Sequence, residues 1–272
     1  MLRFFKTTPP TALLGLFIIL SVAIMGVFAP FLAPYGETEV VGAAYMPWDS
    51  VHLLGTDNLG RDMLSRVIYG ARNTVGLALL TTAIAFTVGA TLGIYAALKG
   101  GWVDQVVSRA VDVLMAVPPL ILALMLLAIV GPSIPNMVLV IAVIYVAPVF
   151  RLARASSMNI VVLDFVQAAR LRGEGNLWLI SREILPNITS TLVAEFGLRF
   201  CFVFLFIAAL SFLGLGIQPP TADWGSMVKE NATLITFGDI TPLIPAAAIA
   251  VLTIGINFVV DWMLHKASGL KD

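Results

Sequence analysis

The chain has 272 residues, of which 59% are hydrophobic and only 12% charged, and its mean hydropathy is +0.97. That is far more apolar than an ordinary globular domain and indicates a membrane protein. Sixteen basic residues balance sixteen acidic ones, so there is no basic footprint for nucleic acid, and one cysteine with two distant histidines makes neither a disulfide nor a metal-ligand cluster.

A helix needs about 20 apolar residues to cross a bilayer. Six stretches meet that requirement: Ala12 to Leu32, Val75 to Leu98, Val111 to Val130, Pro135 to Leu152, Ser190 to Leu215 and Leu243 to Leu264. Thr11 to Leu32 is too long for a signal-peptide core and reads as a retained anchor. Between the first two spans, Gly55 and Gly60 supply turns, and Asp62 to Tyr69 reads as a short interfacial helix with charged caps. His52 in this loop is either structural or a ligand. Pro118-Pro119 should kink the third span, as a structural bend or as a hinge beside a pathway, and Pro148 offers the same in the fourth.

The longest polar interruption runs from Phe165 to Ile188. Gln167-Ala168-Ala169-Arg170-Leu171-Arg172 favours helix, and Gly173 stops it as a C′ glycine. Glu174-Gly175-Asn176 makes a turn, with Asn176 capping a second helix. Pro186 should close that helix. Leu177, Ile180 and Ile184 form its apolar stripe. Such a hairpin is too short to stand alone and must lie on the membrane, on its own bundle or in a partner.

In the fifth span Glu195 and Arg199 share a helix face and can pair, either as a structural ion pair or as a pathway element. The span ends in Ser211-Phe212-Leu213-Gly214-Leu215-Gly216, and Trp224 beyond it suits a membrane interface. With the N-terminus inside, eleven basic residues (Arg3, Lys6, Lys99, Arg109, Arg151, Arg154, Arg170, Arg172, Arg182, Lys266, Lys271) fall on the inner side. Four (Arg61, Arg66, Arg72, Lys229) fall outside. The asymmetry puts the hairpin and both termini in the cytosol.

Three motifs carry a resemblance. Gln167-Ala168-Ala169, Gly173 and Ile184-Leu185-Pro186 resemble the EAA loop of permease subunits of binding-protein-dependent ABC importers, with Gln167 in place of the usual Glu and Arg172 where a small or apolar residue is common. The run from His52 to Asp62, containing Gly55, Asp57, Gly60, Arg61 and Asp62, resembles the signature of the dipeptide, oligopeptide and nickel subfamily. So does the run from Leu210 through Gly214 and Gly216 to Trp224 and Gly225.

The resemblance implies an all-α membrane protein of type I importer fold, with six spans and a cytoplasmic helix-turn-helix. Its parts would be a tail and first span (1–33), an external loop (34–74) and a transmembrane core (75–272) holding a coupling loop (153–187). It implies a multi-pass permease of the bacterial inner membrane that pairs with a second homologous permease, two ATP-binding subunits and an extracytoplasmic solute-binding protein. Gln167, Ala168, Ala169, Arg170, Gly173, Glu174, Leu185 and Pro186 would couple it to the ATPases. No cofactor is expected in this chain; ATP and magnesium would belong to the partners.

No phosphate-binding loop and no Ser-His-Asp, Cys-His or H-E-x-x-H pattern occurs in the sequence, so no enzymatic activity is expected of the chain itself. An intramembrane hydrolase would need a second acid beside Glu195. A self-sufficient secondary transporter or channel would need coupling carboxylates near the midplane.

Overall fold

The computed structural model describes residues 8–268; Arg3, Lys6 and Lys271 lie outside the described residues. The order is α1 (Pro10–Val27), α2 (Met63–Gly70), α3 (Gly76–Lys99), α4 (Gly101–Ala116), α5 (Pro119–Val130), α6 (Ile134–Val161), α7 (Asp164–Leu171), α8 (Leu185–Leu213), α9 (Trp224–Asn231) and α10 (Leu243–Ser268). Among the described residues the only β pairing is two isolated bridges in the loop before α2. Five helices or continuous helical runs are long and apolar enough to span a membrane, and the bent pair α4–α5 makes a sixth.

The most extensive contact is α3 against α6. Its cause is small side chains. Gly89 and Gly93 stand one turn apart on α3, and a Cβ at Gly93 would lie 2.6 Å from the Phe150 carbonyl and 2.9 Å from the Ala153 Cβ on α6. In lipid, apolar burial does not favour helix association, so close backbone approach and dispersion contacts must hold the pair. With the Thr74 end of α3 called outer and its Lys99 end inner, following the orientation expected from the basic residues, the main core lies on the outer part of this pair, where α2, α3, α5, α6, α8, α9 and α10 meet and Met63, Ala78, Leu127, Met137, Phe204, Trp224 and Leu252 are buried. A second core lies at the other end, around Leu98, Val161, Val166 and Ile184.

The third span departs from expectation. It is not a kinked helix: α4 and α5 are separate and lie 89° apart. Val117 and Pro118 both precede a proline, and that position disfavours the α region, here twice in succession. Their ψ angles are 133° and 129°. Pro148 by contrast lies inside an unbroken α6, which runs past Leu152 to Val161.

Pro186 does not end a helix either. Helix runs without a break from Asn176 through a π turn (Leu179–Ile184) into α8. A proline ring clashes with the carbonyl four residues back, and the wider π turn sits where that clash would fall. Asn176 is the first helical residue behind a Gly175 cap and makes no capping bond with its side chain. A π turn (Ala71–Val75) likewise joins α2 to α3, so α2 is the outer extension of the second span. Met63, Arg66 and Ile68 on it are buried, which excludes the expected interfacial position.

The α3–α6 contact is testable. Gly93→Leu forces a side chain against the Phe150 backbone and should cost about 1–3 kcal/mol. A thermal scan of the detergent-solubilised protein by size-exclusion fluorescence should show the corresponding drop in midpoint.

Candidate functional site: an inner hairpin and an outer ionic cap

The hairpin closes as a Schellman turn. Gly173 has φ +85°, Gly173 N–H donates to the Arg170 carbonyl at 2.9 Å and Glu174 N–H to the Ala169 carbonyl at 3.2 Å. This pairing satisfies carbonyls at the end of α7. Val166, Ala169, Leu179 and Ile184 then pack under the hairpin against Leu98, Ala153 and Val161, at the inner ends of α3 and α6. Gln167 Nε2 donates to the Val161 carbonyl at 2.8 Å, and Arg170 Nη2 to the Leu98 carbonyl at 2.9 Å. The Arg172 guanidinium lies 5.9 Å from the centre of the Trp178 ring.

These contacts sort the residues read from the sequence. Ala169 is fully buried in the chain's own core and is not part of an outward surface. Gln167, Ala168, Arg170, Gly173, Leu185 and Pro186 are exposed, and Glu174 is half-buried. Leu177, expected in the buried stripe, is 83% exposed, because Leu179 takes the inward position. Leu171 is 91% exposed. Together the two leucines form an apolar tip, which the sequence analysis did not identify. For Leu171 the signal was available, since it stands five and two residues from Val166 and Ala169 and so off their face; Leu177 is seven residues before Ile184, and the π turn at Leu179–Ile184 between them shifts it off that face.

The two external signatures, about 150 residues apart in sequence, fold together into one cap. Arg61 Nε donates to Asp57 Oδ2 at 2.6 Å, and Arg61 Nη2 to Glu230 Oε2 at 3.2 Å. Arg66 lies between the same acids, 3.3 Å from Asp57 and 3.4 Å from Glu230. Arg66 and Asp57 are fully buried. Two arginines against two carboxylates make the cluster neutral, which is the condition for holding such charges away from water. Burial still pushes the Glu230 carboxyl above its ordinary range, against the pull of Arg66 and Arg61.

Around this cluster each turn residue has its place. Gly55 and Gly60 have φ of +69° and +76°, and Gly214 has φ +87°. A Cβ on Gly216 would collide with Ser211, and one on Gly225 with the Ala208 carbonyl. Asp62 caps α2, accepting from Ser65 N–H at 2.8 Å and Ser65 Oγ at 2.7 Å. His52 is buried 3.6 Å from Asp62 and stacks at a tilt on Tyr35. No group of three metal-ligating side chains occurs among the described residues.

Trp224 is not at a membrane interface. It is 1% exposed, donates Nε1–H to the Val67 carbonyl at 2.9 Å and meets Phe204 edge-on. Gly70 makes room for its ring, since a Cβ there would lie 2.5 Å from Trp224 Cδ1. Beside it, buried Asp223 caps α9 through the Ser226 N–H at 2.8 Å and accepts from Thr74 Oγ1 at 2.8 Å. Arg66 and Asp223 adjoin the two signature runs, whereas Glu230 and Thr74 carry no motif that marks them as cap members. The clue was an acid, Glu230, on an external segment shortly after the Trp224-Gly225 motif.

The hairpin packs at the Lys99 end of α3 and the cap at the Thr74 end. α3 has 24 residues, and at about 1.5 Å per residue the two sites stand about 36 Å apart, on opposite sides of a bilayer. The arrangement has two faces: an apolar-tipped hairpin on one side, a loop cap on the other.

Residues 89–266 match the family model for the binding-protein-dependent transport system inner membrane component. The chain belongs to this family. Residues 2–47 also match the N-terminal TM domain of oligopeptide transport permease C. Among relatives of this permease, the dipeptide transport system permease protein DppC of Alkalihalophilus pseudofirmus is 36% identical, over 96% of this chain and 84% of that protein. The DppC of Haemophilus influenzae is 34% identical over 96% and 88%. The glutathione transport system permease protein GsiD of Pectobacterium atrosepticum is 32% identical over 95% and 84%. The permease is thus the membrane-spanning subunit of an ABC transport system.

Between the two faces lies the pair expected on α8. Arg199 donates Nε–H to Glu195 Oε1 at 3.0 Å, and Nη2 to the same oxygen. The guanidinium also lies 5.9 Å from the Tyr145 ring centre and 5.5 Å from that of Phe202.

Two outcomes follow from this geometry. Asp223→Asn keeps an acceptor for Ser226 N–H and removes a buried charge, so it should be tolerated, whereas Asp223→Ala loses the cap and should cost about 0.5–2 kcal/mol. Burial raises the folded-state pKa of Asp223, so the folded protein holds that proton more tightly than the unfolded chain. Its contribution to stability therefore falls as pH rises from the unfolded to the folded pKa. Thermal midpoints measured across that window should be flatter in Asp223→Asn than in the unmodified protein. For the span pair, Glu195→Ala should be partly rescued by Arg199→Ala, and a double-mutant cycle should give an interaction energy of about 0.5–3 kcal/mol.

Proposed function

We propose that this permease forms half of an inward path for peptides or related small solutes, and that its hairpin couples the path to ATP hydrolysis in other subunits. The observation that carries this reading is the hairpin itself. It is anchored by Val166, Ala169, Leu179 and Ile184 to the inner ends of α3 and α6, yet leaves Leu171 and Leu177 exposed. Such an element transmits displacement: a partner that grips the tip moves the helices to which the base is fixed. The full arrangement is a second homologous permease, two ATP-binding subunits carrying ATP and magnesium, and an external solute-binding protein seated on the cap. Both termini lie in the cytosol of a bacterial cell, a reading supported by the excess of basic residues on that side. Gln167, Ala168, Arg170, Gly173 and Glu174 contribute the polar and backbone part of the contact with the ATPase. Leu185 and Pro186 join it to α8. Alternating access then comes from two bistable interfaces moved together. Peptides are the proposed cargo because relatives named for dipeptide transport align with 96% of the chain at 36% and 34% identity.

Purification of the tagged chain from native membranes in mild detergent, with mass spectrometry of the retained proteins, tests the assembly. A second six-span permease and P-loop ATPases are expected; recovery of the chain alone across several detergents would refute it. In the reconstituted complex, Gly173→Trp and Leu177→Glu should leave the chain in the membrane while ATP-driven uptake falls by at least about fivefold.

A further inference from the structure

We propose that α4 is a hinged strut beside the inward path, and that Asp104 with Arg154 and Asp112 with Arg151 are the positioning residues that latch it to α6. This rests on the coupling role of the hairpin given above.

Both ends of α4 are joints. At its start Gly100 and Gly101 have φ of +62° and +56°, and a Cβ on either would meet nothing within 4 Å. No packing contact calls for these glycines; only the backbone conformation does. At its end Val117 and Pro118 are extended, and α5 leaves at 89°. Between the joints a single residue of α4, Val111, is fully buried. It sits in a small apolar patch with Ala96, Ala147 and Phe150, flanked by Val107 and Leu114.

What adds hold on α4 is ionic. Arg154 donates from Nε and Nη2 to the two oxygens of Asp104, a bidentate fork that fixes orientation as well as distance. Arg151 Nη2 donates to Asp112 Oδ1 at 2.6 Å. These pairs border an open cleft of about 640 Å³ lined by Asp104, Gln105, Ser108, Arg109, Asp112 and Arg154. A cleft that admits water changes the energetics. Charges that can be rehydrated separate at little cost, whereas the buried pairs of the outer cap cannot. The latch is built to open and the cap to stay shut.

The hairpin reaches this strut by a short route. Arg170 of α7 donates to the Leu98 carbonyl, two residues before the Gly100 joint. A pull on the hairpin is therefore applied at the root of α4, and the latch decides whether α4 follows α6 or swings away from it.

The test uses the complete complex in proteoliposomes with its binding protein. Cysteines are placed at 104 and 154 in a Cys201→Ser background and joined by a short thiol crosslinker. Uptake should fall by at least about fivefold on crosslinking and return on reduction, with the subunits still assembled. Asp104→Arg alone and Arg154→Asp alone, like Asp112→Asn, should raise ATP hydrolysis in the absence of solute and lower uptake per ATP. The exchange Asp104→Arg with Arg154→Asp should restore the ratio, which a merely structural defect would not do. Import at the unmodified rate through the crosslinked complex, or an exchange variant as uncoupled as the single changes, overturns the strut. Failure of the unmutated chain to retain ATPases overturns the coupling reading, and the strut with it.

Discussion

The close approach of α3 and α6 is the constraint on which the rest depends. A bilayer gives helices no apolar gain for meeting each other, so contact must be won by shape. Gly89 and Gly93 provide it by letting the α6 backbone come within van der Waals reach. The two helices then form a rigid unit across the membrane. Leu98 and Val161 at its inner end hold the hairpin. At its outer end the π turn before α3 presents Thr74 to Asp223 and Asn73 to Glu37 and the Ala222 carbonyl. Inner and outer faces are thereby tied to one shaft.

The two faces are built from opposite kinds of interaction. The outer cap uses charges largely withdrawn from water, two arginines shared between two acids of which Glu230 alone stays partly exposed, and a tryptophan whose polar atom is satisfied. The inner end uses exposed leucines, wet ion pairs and a glycine turn. The first kind resists rearrangement, because each partner left alone would be a buried uncompensated charge. The second kind exchanges partners at small cost. A transporter subunit needs both: a fixed platform on one side and a movable contact on the other.

Much of this was legible in the sequence. The spans were found because about 20 apolar residues in a row have few other uses, and Gly173 was read as a helix stop because only a left-handed residue closes that turn. The misreadings share a cause: each depended on a neighbour distant in the chain. Trp224 resembled an interfacial aromatic until Val67 supplied its acceptor. Ala169 resembled a docking residue until Leu98 and Val161 covered it. The asymmetry in basic residues counted Arg61 and Arg66 as loop charges, since nothing local tells that Glu230 neutralises them. Pro186 was taken as a terminator because local rules have no place for a π turn that accommodates it. Pro118-Pro119 was read as a kink, although two successive pre-proline positions leave no helix to kink.

The break between α4 and α5 has a consequence for what can lie beside it. Leu114 and Met115 have prolines where their carbonyls would find the donors four residues on, at 118 and 119. α5 has 12 residues, about 18 Å of helix against a hydrocarbon core of about 30 Å. Backbone oxygens freed at that depth are intolerable against acyl chains and are accepted only against protein or a water-filled space. The break between α4 and α5 therefore has to face protein or a water-filled space rather than lipid.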